Sequence, residues 1–144
     1  MKRNIKKIMI TLFFAGSLTI LAIVLAYLTG RQRIKTGTSL GIGEDFGMLQ
    51  ITRAHGNLLE NALFFLILSF LLETIAQASN LALMILGDIF LLSRIAHAYG
   101  LTRPGANSQF RFLGMAGTIL VLGIQSVWAL IISINWLISN NFGL

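Results

Sequence analysis

Cysteine is absent from the 144 residues. That excludes disulfides, a cysteine nucleophile and thiolate metal sites, and it leaves the redox compartment open. Charge is scarce too: 11% of residues are charged and 56% are hydrophobic. A soluble domain of this length could not cover so much apolar surface, so lipid is the expected solvent. Acidic residues are the rarest charged class, five against eleven lysines and arginines, for a net charge of +6. The basic residues cluster at the ends of apolar runs, which reads as a topology signal and argues against a nucleic-acid-binding face. Proline occurs once, at Pro104, in a connection between apolar runs. Repeats and low-complexity tracts are missing, and a single domain spanning 1–144 is expected. Glu44-Asp45 is too small a ligand set for a metal, so no metal site is expected.

What is present is four apolar segments, at about 8–29, 54–72, 81–99 and 112–138. Each is long enough to cross a hydrocarbon core of about 30 Å as a helix. The fold class expected is an all-α integral membrane protein, a four-transmembrane-helix bundle. The first segment follows Lys2, Arg3, Lys6 and Lys7, as a signal peptide would. It is longer than the roughly 7–15 apolar residues of such a peptide and ends in Tyr27-Leu28-Thr29-Gly30-Arg31, so it reads as a retained helix. Basic residues flank both membrane faces, and the orientation is nearly balanced.

The polar exceptions carry the functional information. Arg53-Ala54-His55-Gly56-Asn57-Leu58-Leu59-Glu60 opens the second apolar segment. Arg53, Asn57 and Glu60, at i, i+4 and i+7, fall within about 60° of one another on a helix. Ionisable groups in a membrane span are costly unless they face a bundle interior, pair, or perform a function. Counted from Ala54 and Gly100, Glu60 and Arg94 both lie about 9 Å inside the same face, so a Glu60–Arg94 contact is expected, within or between subunits. Arg31, Arg33, His97 and Arg111 fall in the same half. Asp88 lies deeper and about 120° away from Arg94 on its helix, and it is assigned to packing or proton linkage. Arg103 reads as a loop charge.

Several arginines with one carboxylate suit a ligand bearing carboxylates and an amine, since arginine grips carboxylates bidentately and Glu60 could hold an ammonium group. Arg94 or Arg111 could also favour a thiolate. Glutathione fits this chemistry; a phospholipid headgroup or an acidic metabolite fits nearly as well. The plain alternative is an intramembrane polar lock between helices.

Taken in order, Arg31-Gln32-Arg33, the Arg53–Glu60 element, Arg94-Ile95-Ala96-His97 and Arg111-Phe112-Leu113-Gly114-Met115 resemble the MAPEG family, membrane-associated proteins in eicosanoid and glutathione metabolism. The small bacterial members are the tighter match. The resemblance implies a homotrimer with glutathione as co-substrate bound between subunits. Arg33, Arg53, Asn57 and Glu60 would come from one protomer, and Arg94, His97 and Arg111 from its neighbour. It further implies that Arg111 activates the thiol while the other six position the cofactor, in a multi-pass protein of a bacterial inner membrane. Two positions depart from the family pattern. Leu63 and Phe64 stand where a proline is usual, and Leu101 stands where the eukaryotic enzymes carry a tyrosine, with Tyr99 turned about 160° away. The function implied is a membrane-bound glutathione transferase or peroxidase acting on lipophilic electrophiles or hydroperoxides. The rival is a non-catalytic membrane protein, a small transporter or lipid-binding scaffold, whose polar cluster serves assembly.

Overall fold

The computed structural model describes residues 8–103 and 108–140, which form four helices: α1 (Met9–Thr36), α2 (Phe46–Thr74), α3 (Asn80–Thr102) and α4 (Ser108–Ser139). All four are long and apolar enough to cross a membrane. Lys2, Arg3, Lys6, Lys7 and Pro104 lie outside the described residues.

Two of the helices run well past their apolar runs. Hydropathy marks the hydrocarbon layer, whereas hydrogen bonding and capping decide where a helix ends. α1 continues to Thr36, so Arg31, Arg33 and Lys35 ride on helix and not on loop. It stops at Gly37, whose φ of 67° is left-handed, and the Gly37 N–H bonds back to the Arg33 carbonyl. α2 begins two turns earlier than the apolar run because Asp45 caps it, accepting from the Met48 N–H at 2.6 Å. Gln32 on α1 donates to the same carboxylate at 2.9 Å, so the cap also ties α1 to α2. These two bonds hold the Asp45 carboxyl below the usual carboxylate range, the Gln32 bond contributing most. Glu73, expected in the second connection, belongs instead to the last turn of α2.

α2 and α3 form the middle of the bundle, with α1 against one side and α4 against the other; among the described residues α1 and α4 do not touch. Three buried phenylalanines join the first three helices. Phe65 and Phe90 stack with centroids 4.1 Å apart, and Phe14 meets Phe65 edge-on at 5.9 Å. The Phe14 ring occupies the space that a Cβ at Gly87 would need.

α3 and α4 approach through glycine. A Cβ on Gly114 would lie 2.5 Å from the Ser93 carbonyl oxygen and 2.6 Å from the His97 nitrogen, and one on Gly117 would collide with the Ser93 hydroxyl. Large apolar side chains such as Ile20, Leu63, Phe64, Leu92 and Leu120 cover the outside. That distribution suits lipid, not water.

Candidate functional site

The site grows from the first half of α2. Leu49, Arg53, Gly56 and Glu60 recur at helical spacing on one face, and α3 brings His97 and Leu101 against it. Together with Thr52, Asn57 and Ile42 from the α1–α2 connection, they enclose a cavity of about 390 Å³. Sites of this volume hold small organic ligands. Of the residues expected from sequence, Arg53, Asn57, Glu60 and His97 line this one cavity.

Arg94 stands behind it, only 2% exposed. Its guanidinium does not meet Glu60 within the chain. Nη1 donates to the Asn57 side-chain oxygen at 2.6 Å and Nη2 to the Gly114 carbonyl at 3.1 Å, so Arg94 joins α2, α3 and α4. The expected Glu60–Arg94 contact is replaced within the chain by Asn57–Arg94: Asn57, one turn earlier on α2, is half-buried, while Glu60 is exposed. An amide whose oxygen is held this way keeps its NH2 as a donor. Arg94 Nε and the Thr52 hydroxyl are buried without a partner. Buried polar atoms left this way are uncommon and concentrate attention on a site.

His97 is 6% exposed, and its Nδ1 lies 3.0 Å from the Arg111 carbonyl oxygen. A carbonyl can only accept, so Nδ1 carries a proton and donates a hydrogen bond to the Arg111 carbonyl.

The remaining expected residues lie elsewhere. Arg33 Nη1 donates to the carbonyls of Ser39 at 3.4 Å and Gly41 at 3.1 Å, clamping the connection that carries Ile42 to the cavity edge. The Arg111 side chain is exposed and outside the cavity lining; its backbone alone reaches His97. Of the residues the resemblance assigned to a neighbouring protomer, Arg94 bonds to Asn57 and His97 lines the cavity with Arg53 and Asn57 within this one chain, while the Arg111 side chain lies outside the lining. Asp88 is exposed on α3. Leu101 lines the cavity, whereas Tyr99 faces a different one on the far side of α3.

Sequence reasoning missed Leu49 and Thr52, which the helical period of Arg53 and Glu60 already predicts once the helix is extended to Phe46. It missed Ile42 for a different reason, since nothing local places that connection. It also missed Glu73, which is 5% exposed and caps α1 from across the bundle. Glu73 accepts from the Ile10 N–H at 3.1 Å, the Thr11 N–H at 2.8 Å and the Thr11 hydroxyl at 2.6 Å. Among the described residues no group of three His, Cys, Asp or Glu could hold a metal.

One cation, one carboxylate, an amide and an imidazole around a small apolar-edged space can hold a zwitterionic ligand by several arms. The MAPEG family model matches residues 11–131, a span that reaches into all four helices and contains every residue of the site. Comparisons with curated proteins and with solved structures found no match. The order of the polar motifs, the four-helix membrane bundle and the extent of that match lead to one assignment: this multi-pass membrane protein belongs to the MAPEG family, the membrane proteins of glutathione and eicosanoid metabolism.

Proposed function

We propose that the chain is a glutathione-dependent transferase or peroxidase acting on lipophilic electrophiles or hydroperoxides, working as a homotrimer in a bacterial inner membrane. One observation carries the reading: Arg53, Asn57, Glu60 and His97, from two helices, line a single cavity whose amide is fixed from behind by buried Arg94.

The donor set suits glutathione group by group. Glu60 takes the ammonium, Arg53 a carboxylate, and the Asn57 NH2 a peptide carbonyl. Arg94 acts through Asn57 and is a positioning residue. Arg33 shapes the rim through its hold on the α1–α2 connection. Arg111, exposed in the protomer, reaches the thiol of a ligand held by the adjoining copy, where its charge favours the thiolate. Conjugation then forms a carbon–sulfur bond as the electrophile's leaving group departs. Peroxide reduction instead takes two glutathiones to the disulfide and releases an alcohol and water. Apolar Ile42, Leu49 and Leu101 suit a substrate arriving from lipid.

The test is calorimetric titration of glutathione into detergent-purified protein of measured oligomeric state. Saturable binding is expected, lost at least tenfold in Glu60→Ala, with Arg111→Ala binding normally but turning over substrate poorly. No binding at millimolar glutathione by an intact trimer would overturn the reading and leave the cluster as an assembly device.

A further inference from the structure

A second cavity, of about 540 Å³, lies at the same end of the bundle, where the ends of α1 and α3 meet the start of α2. It shares no lining residue with the candidate site. Three cations border it: Arg31 and Lys35, one turn apart on α1, and Arg103 at the end of α3. No acidic side chain lines it.

We propose that this cavity binds the phosphate headgroup of an anionic phospholipid.

The geometry points to a prepared site more than to scattered surface charge. The Arg103 guanidinium lies 4.4 Å from the Tyr99 ring centroid, and its backbone carbonyl accepts from Gln50 Nε2 at 3.3 Å. Both contacts limit where the charge can go. Asp45 is not part of the lining; its Oδ1 accepts from both Gln32 and the Met48 N–H, in the α1–α2 tie. A Cβ at Gly47 would sit 3.0 Å from Gln32 Nε2 and 3.2 Å from Asp45 Oδ1, so glycine leaves that tie undisturbed beside the cavity.

Lipid is favoured over a soluble anion by what surrounds the charges. Leu28, Ile51 and Tyr99 form apolar parts of the same wall, and Tyr27 and Ile34 flank Arg31 and Lys35 on the outer side of α1. The cations stand beyond the apolar run of α1 and immediately after α3, the level at which headgroups lie. A basic pocket between membrane helices with an apolar floor matches a phosphate ester that continues into acyl chains. Arg31 and Lys35 would otherwise read as ordinary snorkelling anchors; the shared cavity with Arg103 is what separates the two readings.

The experiment compares protein in nanodiscs of phosphatidylcholine with and without phosphatidylglycerol, reading lipid retention by native mass spectrometry and thermal midpoint. Phosphatidylglycerol should be retained preferentially and raise the midpoint. The Arg31→Gln/Lys35→Gln/Arg103→Gln variant should lose at least tenfold in apparent lipid affinity while its glutathione titration stays unchanged. Arg103→Gln alone, which leaves both α1 cations in place, provides the same reading should the triple variant not fold. Equal retention of both lipids by the wild-type protein would overturn the proposal, as would unchanged affinity in a folded triple variant. Full reproduction of the stabilisation by inorganic phosphate alone would also overturn it, in favour of a soluble-anion site.

Discussion

Two buried charges divide the bundle into a finished end and an unfinished one. At the end where α2 closes, Glu73 accepts three hydrogen bonds from the first turn of α1 and has no cavity of the site near it. At the other end Arg94, equally buried, meets only two neutral oxygens and leaves Nε unpartnered. A charge out of water is tolerated when its hydrogen bonds are satisfied and remains costly when they are not. Glu73 meets that condition with free backbone N–H groups, which every helix start leaves over. Its negative charge also suits the positive end of the α1 dipole. Arg94 meets it in part, and the partner it holds, Asn57, is a wall of the cavity. The satisfied charge holds the fold together. The incompletely satisfied one stands behind Asn57, one wall of the cavity.

The largest expected effect breaks the finished end. Glu73→Ala strands two backbone donors and the Thr11 hydroxyl in a buried setting, and should cost about 3 kcal/mol or more. Thermal unfolding in detergent, with protease accessibility of α1 as a second readout, checks it. A shift no larger than that of a surface substitution would break the contrast.

Arg94→Met sharpens the comparison from the other side. The Gly114 carbonyl keeps the Thr118 hydroxyl at 2.8 Å, and Asn57 faces a cavity, so the stability loss should be only about 1 kcal/mol. Glutathione affinity should fall about tenfold, the worth of one such lost orientation. Titration and melting of the same preparation separate the two quantities; a large melting loss with unchanged affinity would make Arg94 a second Glu73.

The smallest effect concerns Asp45, the other capping carboxylate, placed outside the membrane spans. Its folded pKa is depressed, so its contribution is fully present above the ordinary carboxylate pKa and is lost as pH falls through the folded value. Asn caps nearly as well as Asp. Asp45→Asn should therefore leave stability near neutral pH almost unchanged while flattening its decline in acid. Midpoints measured from pH 7 down to pH 3 check this, and parallel curves for both proteins would contradict it.

The residues that were legible in advance share one property, their spacing along a single helix. Arg53, Asn57 and Glu60 could be placed on one face because 3.6 residues make a turn. Contacts between helices were less legible. Arg94 was matched in depth to Glu60, yet one turn of offset gave it to Asn57. Glu73 looked like a loop residue because hydropathy falls before the helix ends, and its partners Ile10 and Thr11 lie more than sixty positions away.

By itself, then, the chain's pattern of apolar runs determined four membrane helices, their order and the half of the bilayer that holds the polar groups. Those features follow from local periodicity and from the cost of placing charge in hydrocarbon. Only the tertiary structure decided which charges are satisfied. It set Arg94 behind Asn57, gave Glu73 to α1, and parted the cavity at Glu60 from the cavity at Arg31. Such pairings depend on helix crossing and rotation, which packing at Gly87, Gly114 and the Phe65–Phe90 stack sets and which no local spacing encodes.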